Sequence, residues 1–514
     1  MFARVKSAVV YGVEGKCIEV EADIANGLPH FEISGLAASS VREARERVKA
    51  AIKNSGFTFP LQRITVNLAP ADMRKAGSML DCAIAVAILL ASGQIEVRNR
   101  LADWLFVGEL SLEGRLRSVP GLLPILLGAR RQNEPGAVVP LDTGEEVDRV
   151  RLPLLRASTL QECAALFACP DEQITEISQL VDACTDRIEP RISSLCFSDV
   201  RGQRHVKRAM EVAAAGRHHL CMVGPPGTGK TMMAHRFPTI LPLLSEEEEL
   251  EVDTIYSAYG LLEERFKQQG QPPFRAPHTS ITLTGMVGGG MGPKPGEMSL
   301  AHLGVLFLDE WAEFSRRVLE SMRQPLEDGR IVLIRGDRKL TLPSRVVLLS
   351  AFNPCNCGHY QFEDQTNVCT CTESEVRRYR RKLSGPLLDR MDMHVEVPRV
   401  ETEELDHITE SSLDMRKRVE GARARQRARY EKMNCMYNAD LFGTALRTHV
   451  QLSKEGSRFL AAIYRTTGLS NRSYDKILKI SRSIADLDGC EEIHEAHIAE
   501  ALQYRVLDRA DWKR

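Results

Sequence analysis

The chain lacks any hydrophobic run that approaches the ~20 consecutive apolar residues needed to cross a bilayer. Its first residues, Met1 to Lys6, lead directly into strand-like sequence and contain no apolar segment of the signal-peptide type. These two absences predict a cytoplasmic protein that does not associate with a membrane.

Cysteine is scarce and neither sign of charge is in excess. With 13 cysteines in 514 residues, nine of them isolated, the composition does not indicate a disulfide-stabilised fold. Lysine and arginine total 68 against 69 aspartates and glutamates, so any binding to nucleic acid would have to use local basic patches. The chain is also too long for one core, and its length predicts about three domains.

A glycine-rich loop organises the rest of the sequence. An apolar run, Leu220 to Val223, precedes it, and a helix-compatible segment begins at Met232. Glycines allow backbone N–H groups and the positive end of a helix dipole to surround a polyphosphate. Lys230 would then contact the β- and γ-phosphates of ATP, and Thr231 would ligate Mg²⁺. The loop consists of Gly224, Pro225, Pro226, Gly227, Thr228, Gly229, Lys230 and Thr231.

Two further apolar runs end in polar residues that suit ATP hydrolysis. Val305 to Leu308 leads into Asp309 and Glu310, which is typical of a Walker B strand. In such a strand one carboxylate holds Mg²⁺ and the other polarises the attacking water. The second run leads to Asn353, whose side-chain amide can orient that water. Together with the glycine-rich loop, these residues predict a Mg²⁺-dependent ATPase.

Composition and periodicity divide the chain into four segments. Residues 1–169 mix β-rich and helical stretches and predict an independent α/β domain, and residues 170–198 are polar and acidic, as expected of a linker. Residues 199–400 contain the ATPase motifs with two insertions. Residues 401–514 have helical periodicity and predict a helical lid.

The two insertions differ in character. Residues 285–290 are rich in glycine, which predicts a disordered loop or a mobile hairpin tip. Residues 329–342 predict two strands around a Gly-Asp turn, with Arg335, Arg338 and Lys339 at the tip. A charged tip is usually only solvated, so spacing alone favours that interpretation over contact with phosphate.

Two passages of the first domain, residues 75–81 and 106–115, resemble the proteolytic domain of the Lon family. Lon chemistry needs a serine nucleophile and a lysine base. Here the lysine position falls on Leu123 and the serine position on or near Met79, so the adjacent Ser78 has no base. The resemblance therefore implies a Lon-like (S5-like) fold without peptidase activity that serves in assembly or partner contact.

Taken together, the motifs resemble the YifB/ComM family of magnesium-chelatase-like AAA+ ATPases over nearly the whole chain. Besides the Walker pair and the hairpin, the resemblance rests on residues 272–279 with the following glycines, on residues 353–355 and on residues 384–392. It implies a multidomain α/β protein with a Lon-like first domain and an AAA+ core with a helical lid.

The same resemblance implies a function. In this family the insertions line the pore of a hexameric ring, and ATP hydrolysis drives translocation on DNA, with branch migration of recombination intermediates during natural transformation. Single-stranded and branched DNA are then the expected partners. Arg335, Arg338 and Lys339 become expected contacts to DNA.

Two arginines receive roles from the resemblance. Arg390 is the candidate arginine finger, which stabilises charge on the γ-phosphate in a neighbouring subunit; its alternative is a surface salt bridge with Asp389. Arg472 matches the sensor-two position at the start of a lid helix, and its alternative is an ordinary loop arginine. Because an arginine finger acts across a subunit boundary, the chain is expected to form a ring of six.

Two closely spaced cysteine pairs flank a polar loop at residues 355–371. Four thiolates suit tetrahedral Zn²⁺, although their one-residue spacing is tighter than the usual two to four. The family carries the same pairs here, which favours zinc over free thiols and leaves His359 as a bystander. A basic cluster follows that is either a solvated helix face or a patch that binds a phosphate backbone. The cysteines are Cys355, Cys357, Cys369 and Cys371, and the basic residues are Arg377, Arg378, Arg380, Arg381 and Lys382.

Two other functions remain as alternatives. A protein remodeller, with the Lon-like domain recruiting polypeptide, predicts an apolar and usually aromatic pore loop, whereas residues 283–290 offer only Met286 and Val287. An ATPase subunit that inserts Mg²⁺ into a porphyrin is the other alternative. The resemblance counts against it, because that subunit family lacks the Lon-like domain and the paired cysteines.

Overall fold

The computed structural model describes residues 1–35, 39–71, 73, 75, 77–179, 194–290, 294–335, 338–363, 367–383, 385–400, 409–433, 435–467, 469–508 and 512. Within these residues the protein is a multidomain α/β structure, and none of the helices is long and apolar enough to cross a bilayer. Ser384, the predicted Gly-Asp turn at 336–337 and residues 180–193 of the predicted linker lie outside the described residues.

The first domain is built on a seven-stranded mixed sheet. Its elements are β1 (Phe2–Tyr11), β2 (Glu14–Ala25), β3 (His30–Ser34), α1 (Ser39–Asn54), β4 (Arg63–Ala69), α2 (Asp81–Ala91), β5 (Leu105–Phe106), β6 (Glu109–Leu110), β7 (Leu116–Arg117), α3 (Leu122–Arg131), β8 (Ala137–Pro140), β9 (Leu154–Ala157), α4 (Leu160–Ala165) and α5 (Asp171–Gln179). The strand order is β3-β4-β2-β1-β5-β8-β9, with β6 and β7 forming a separate ribbon. Alternate residues of β4 are buried, which is the period of a strand with one covered face.

The second domain is a five-stranded sheet with helices. Its elements are α6 (Arg204–Gly216), β10 (Leu220–Val223), α7 (Lys230–Arg236), α8 (Glu246–Tyr259), α9 (Leu262–Phe266), β11 (Phe274–Arg275), α10 (Leu283–Val287), α11 (Glu297–Leu300), β12 (Val305–Leu308), α12 (Arg316–Ser321), α13 (Arg323–Asp328), β13 (Arg330–Arg335), β14 (Arg338–Pro343), β15 (Val347–Phe352), α14 (Glu373–Arg380), α15 (Gly385–Leu388) and β16 (Met393–Glu396). The sheet is parallel in the order β11-β12-β15-β10-β16, and β13 and β14 form a separate antiparallel hairpin. All residues of β10, β12 and β15 are buried, as expected of central parallel strands.

The C-terminal segment is a helical bundle. It contains α16 (Ser412–Tyr430), α17 (Gly443–His449), α18 (Lys454–Thr467), α19 (Asn471–Leu487) and α20 (Glu495–Gln503). In α19, Ile477, Ile480 and Ile484 recur at helical spacing and are fully buried, which gives the helix one apolar face. The bundle shares its core with α6 and with the sheet strands of the second domain.

The first and second domains contact each other through an ion-pair cluster. Arg149 of the first domain pairs with Glu249 at 3.3 Å and with the buried Asp253, both on α8. Asp253 also pairs with Arg265 at 3.2 Å. A charge network this deeply buried is costly to break, because removing one partner leaves an uncompensated charge.

One sequence expectation requires correction. Residues 283–287 form the helix α10, capped by the Thr282 side chain, so the loop or hairpin tip predicted for residues 285–290 is wrong for its first half. In its second half Gly289 pairs with Lys294 in an isolated antiparallel bridge, which agrees with a hairpin there. Burial of Met286 and Val287 in the core of the second domain offsets the ~1 kcal/mol that a helical glycine costs.

Candidate functional site

The glycine-rich loop connects β10 to α7 at the carboxyl edge of the parallel sheet. Gly229 has φ +86° and directly precedes α7, so the loop turns sharply into the helix amino end where an anion binds. Gly224 packs against the segment that follows β16, and a Cβ there would lie 2.2 Å from the Val397 carbonyl oxygen. Only glycine allows this close approach.

The Lys230 ammonium group bonds to the backbone of the glycine-rich loop itself. Its Nζ donates hydrogen bonds to the carbonyl oxygens of Gly224 and Pro225, both at 2.7 Å, and to Oδ1 of Asn353 at 3.3 Å. Burial lowers the pKa of Lys230 to about 8, and the Asp309 carboxylate partly opposes that shift. The lysine therefore links the glycine-rich loop to the end of β15.

The lowered pKa predicts that ATP affinity falls above pH 8. Below that pH the lysine is charged in the free protein, and above it ATP binding must be accompanied by proton uptake. We expect the Kd for ATP to be flat below about pH 8 and to rise by up to about tenfold per pH unit above it. Titration with a fluorescent ATP analogue at constant ionic strength measures this. In Lys230→Arg the guanidinium stays protonated, so a flat profile is expected; an unchanged slope would place the titrating group elsewhere.

The side chains that would hold Mg²⁺ lie beside the loop. Thr231 Oγ1 donates to Asp309 Oδ2 at 2.7 Å, and the backbone N–H of Glu310 donates to Asp309 Oδ1 at 3.0 Å. A hydroxyl and a carboxylate side by side supply the hard oxygen ligands that Mg²⁺ takes, and the exposed position of Thr231 leaves room for water and phosphate oxygens. The donor set fits Mg²⁺.

Glu310 is exposed and has an unusual backbone conformation. Its φ of +50° lies in the left-handed region, which is uncommon for a residue with a side chain and costs on the order of 1–3 kcal/mol. The fully buried Trp311 follows it and anchors this turn in the core. The strained turn therefore keeps the Glu310 carboxylate in solvent next to Asp309 and Thr231, the side chains that fit Mg²⁺.

Arg390 lies at the opposite edge of the sheet from these residues. β16 runs parallel to β10 with Met393 opposite Leu220, so the residues just before Met393 flank the amino end of β10. A four-residue strand, about 13 Å long, separates that edge from the glycine-rich loop. The salt-bridge partner of Arg390 is Glu327 on α13, at 2.5 Å, whereas the sequence alternative named Asp389.

Arg472 lies on the same side of the molecule as Arg390. It is exposed in the first turn of α19, which Ser470 caps, so the loop-arginine alternative is wrong. One turn later on α19, Lys476 Nζ donates to the carbonyl oxygen of Met391 at 2.8 Å. The structure therefore brings Lys230, Thr231, Asp309, Glu310 and Asn353 together and places Arg390 and Arg472 elsewhere.

The four clustered cysteines converge as the spacing predicts. The Cys355 Sγ lies 3.3 Å from that of Cys357 and 3.8 Å from that of Cys369, and the Sγ atoms of Cys357 and Cys369 are 3.5 Å apart. With Cys371 included, all four sulfur atoms lie within 4.8 Å of one another. Ligands about 2.3 Å from a tetrahedral Zn²⁺ would be separated by about 3.8 Å, so the donor set fits zinc.

Sequence reasoning missed Gly358, through which the cysteine loop contacts the nucleotide site. Gly358 has φ +88°, and a Cβ there would lie 2.6 Å from Pro226 Cδ and 3.9 Å from Asn353 Cγ. The cysteine loop therefore packs directly on the glycine-rich loop. A glycine among cysteines carries no sequence signal for this contact, because it depends on which strands are neighbours.

The predicted basic surfaces are only partly within the described residues. β13 and β14 pair up to Arg335 and Arg338, whose side chains lie outside the description, while Lys339 is exposed. On α14 and the turn after it, Arg380 stacks on the Trp512 and Tyr360 rings, with centroid distances of 3.9 and 5.0 Å. The other four members of that cluster are exposed: Arg377, Arg378, Arg381 and Lys382.

In the first domain, the positions compared with Lon are arranged around a carboxylate. The Ser78 hydroxyl donates a hydrogen bond to Glu109, and Leu123, at the lysine position, is fully buried in the core. Met79 is also part of that core. Lys75 is fully buried, and its ammonium donates to the carbonyl oxygen of Pro70.

Family models of known proteins match three parts of the chain. A family model described as "Magnesium chelatase, subunit ChlI" matches residues 196–405, one described as "Subunit ChlI of Mg-chelatase" matches residues 20–143, and one described as "Magnesium chelatase, subunit ChlI C-terminal" matches residues 409–505. The first-domain match carries the chelatase name too, so the presence of that domain does not by itself separate this chain from chelatase subunits.

Individual relatives are similar to nearly the whole of this chain. YifB of Escherichia coli K12 is 42% identical over 509 residues, which are 98% of this chain and 97% of that protein. Competence protein ComM of Haemophilus influenzae is 38% identical over 510 residues, 98% of each. DNA replication licensing factor Mcm6 of Drosophila melanogaster is 22% identical over 548 residues, 96% of this chain and 61% of that protein.

Proposed function

The chain belongs to the YifB/ComM family of magnesium-chelatase-like AAA+ ATPases, and on that basis we propose that it is a ring-forming, ATP-driven DNA translocase that promotes branch migration in homologous recombination. The proposal that the chain forms a ring rests on the position of Arg390, which lies at the sheet edge opposite its own glycine-rich loop. The names of two relatives, a competence protein and a replication licensing factor, support DNA as the substrate.

In the proposed reaction each side chain of the carboxyl edge has one task. Lys230 neutralises the β- and γ-phosphates of ATP, and Thr231 with Asp309 holds Mg²⁺, which when bound neutralises charge on the phosphate oxygens. Glu310 accepts a proton from the attacking water. Asn353, already hydrogen-bonded to Lys230, orients that water toward the γ-phosphate.

The site of one chain is completed by the next. A head-to-tail contact that repeats by rotation closes into a ring and places the amino sheet edge of one subunit against the carboxyl edge of its neighbour. In such a ring Arg390 and Arg472 together reach the neighbour's γ-phosphate. A hexamer is the proposed assembly.

Two surfaces would contact DNA. The hairpin of β13 and β14 carries Arg335, Arg338 and Lys339 at its end, and Lys339 and the neighbouring Ile334 are exposed. The exposed basic residues of α14 and of the turn after it form the second surface. Their surface ion pairs, Arg377 with Glu373 at 3.4 Å and Lys382 with Glu313 at 3.0 Å, are weak and leave the cations available to phosphates.

The protein-remodelling alternative requires an exposed apolar pore loop in the glycine-rich insertion. Met286 and Val287 were the apolar residues of the glycine-rich insertion that could grip a polypeptide, and both are buried in the core of the second domain. A buried side chain cannot contact a substrate in a pore.

The ATPase rate with different polymers tests the proposed function. We expect single-stranded and forked DNA to stimulate turnover and unfolded protein to have no effect, at one fixed moderate salt concentration. Lys339→Ala is expected to weaken DNA stimulation and to reduce the slope of log affinity against log salt by about 1. Lys53→Ala, an exposed lysine of the first domain, is the matched control. Stimulation by unfolded protein alone would replace the proposal with the remodeller.

We further propose that the cysteine cluster binds one structural Zn²⁺, held by Cys355, Cys357, Cys369 and Cys371. Through Gly358 this loop would brace the glycine-rich loop. Elemental analysis of the purified protein should find one zinc per chain, and Cys369→Ser should lose it with a lower Tm. Cys490→Ser, a cysteine outside the cluster, should keep its zinc; a zinc-free wild type would refute the assignment.

For the first domain we propose a Lon-like (S5-like) fold that serves in assembly and lacks peptidase activity. Leu123, buried at the lysine position, cannot act as a base. The ion pairs of Arg149 with α8 give this domain a fixed contact with the ATPase domain, which suits a scaffold.

A further inference from the structure

Two cations from the C-terminal helices hold the backbone around Arg390. Lys476 Nζ donates to the carbonyl oxygens of Asp389 and Met391, the second at 2.8 Å. Arg505 Nη1 donates to the carbonyl oxygens of Met391 at 2.9 Å and of Asp392 at 2.8 Å. The carbonyl groups of the residues on both sides of Arg390 are therefore fixed by side chains that come from a part of the chain more than 80 residues away in sequence.

The Lys476 side chain has the hydrogen-bond donors needed to fix the backbone around Arg390. An ammonium has three donors, and two of them are used on the two carbonyls that flank Arg390. Burial lowers its pKa to about 8, with the Asp392 carboxylate opposing the shift. The half-buried Lys476 ammonium is thus held by two backbone carbonyls of the Arg390 segment, residues 389–392, and by the nearby Asp392 carboxylate.

The same contacts tie the Arg390 segment to Arg472. Residues four apart on a helix lie on the same face, so Arg472 stands one turn from Lys476 on α19. A second connection runs from Arg505 to Asp508 at 2.6 Å and from Asp508 to the Ser473 hydroxyl at 3.1 Å. Arg390 and the first turn of α19 therefore belong to one hydrogen-bonded unit.

We infer that Lys476 is a positioning residue that holds Arg390 and Arg472 in one fixed arrangement at the subunit boundary, so that both arginines reach the neighbour's γ-phosphate together. Lys476 touches no nucleotide and acts only through the carbonyls of Asp389 and Met391. The inference rests on the proposed ring, in which Arg390 acts across the boundary.

Lys476→Met tests the inference, because methionine keeps the length of the side chain and removes its donors. We expect kcat for ATP to fall about 10- to 100-fold, as for a catalytic group displaced by about 1 Å, with KM little changed. Lys479→Met is the matched control. It makes the same change three residues later on α19, where Lys479 Nζ donates at 2.8 Å to the carbonyl oxygen of Ala439 within the bundle, and its kcat should equal that of the wild type.

A double-mutant cycle separates positioning from general stability. In a background that carries both Arg390→Ala and Arg472→Ala, Lys476→Met should reduce kcat no further, within about twofold, because both residues that it positions are already absent. The same fold loss in both backgrounds would make Lys476 merely structural and overturn the inference. If Lys476→Met does not fold, Lys476→Arg, which keeps the charge and relocates the donors, takes its place in the cycle with the same expected non-additivity.

The cycle also distinguishes this inference from the proposed function. A normal kcat in Arg390→Ala would refute the proposed role of Arg390 itself. A defective Arg390→Ala together with a fully active Lys476→Met would leave the ring intact and refute only the role of Lys476.

Discussion

Replacing Glu310 with glutamine should lower kcat for ATP hydrolysis by about 10²- to 10⁴-fold, the usual contribution of a general base. Glutamine has the same shape and can still hydrogen-bond to water, but it cannot accept the proton. The proposed Mg²⁺ ligands, Thr231 and Asp309, are unchanged in this variant, so the Kd for ATP and assembly of the proposed ring should stay close to the wild-type values. Single-turnover hydrolysis and equilibrium ATP binding measure the two effects separately.

Glu313→Gln is the matched control for this experiment. Glu313 is a carboxylate three residues further along, half-exposed and paired with Lys382 at 3.0 Å. Its removal changes the local charge by the same amount but leaves the site's proton acceptor in place. Normal turnover in Glu310→Gln, or an equal loss in both variants, would exclude Glu310 as the base.

The second large effect is expected from Arg390→Ala, which should reduce kcat by about 10³- to 10⁵-fold, as the loss of an arginine finger does. The geometry adds a stricter expectation. Because the Arg390 segment flanks the amino end of β10, Arg390 should serve only the site of a neighbouring subunit.

Mixing two inactive variants tests that expectation. Lys230→Ala removes the nucleotide site but keeps the finger, and Arg390→Ala does the reverse. In a randomly mixed ring with one type of head-to-tail interface, about a quarter of the interfaces pair an intact site with an intact finger. We therefore expect the equimolar mixture to regain ATPase activity that neither variant has alone.

Controls make the mixing result unambiguous. Each variant mixed with itself reports residual activity, and a chain carrying both substitutions, mixed with Arg390→Ala, should restore nothing. Absence of recovery in the first mixture, with subunit exchange verified by fluorescence energy transfer, would mean that Arg390 acts in its own chain or has no catalytic role.

Much of the nucleotide site followed from local sequence. Lys230 and Thr231 end a glycine-rich loop that follows one apolar run, Asp309 and Glu310 follow a second, and Asn353 follows a third; the carboxyl ends of parallel strands meet at one edge of a sheet. The structure places these five residues close together at that edge. The convergence of the four cysteines was likewise predicted from their spacing, because both pairs belong to one short loop.

Other features depended on which strands and helices are neighbours in space. The sequence named Arg390 and Arg472, but their distance from the chain's own glycine-rich loop follows from β16 lying beside β10 in parallel. Residues 283–287 are helical despite their glycine because the side chains of Met286 and Val287 are buried in the core of the second domain.

The sequence by itself therefore indicated the chemistry: a candidate ATP site, side chains that fit Mg²⁺, a cluster of four cysteines and the family. Only the tertiary structure decided which groups share a site, because contacts such as Lys476 with Met391 and Gly358 with Pro226 join residues far apart in the chain. Periodicity and spacing describe neighbours along the backbone, whereas these contacts are selected by the burial of whole elements against one another.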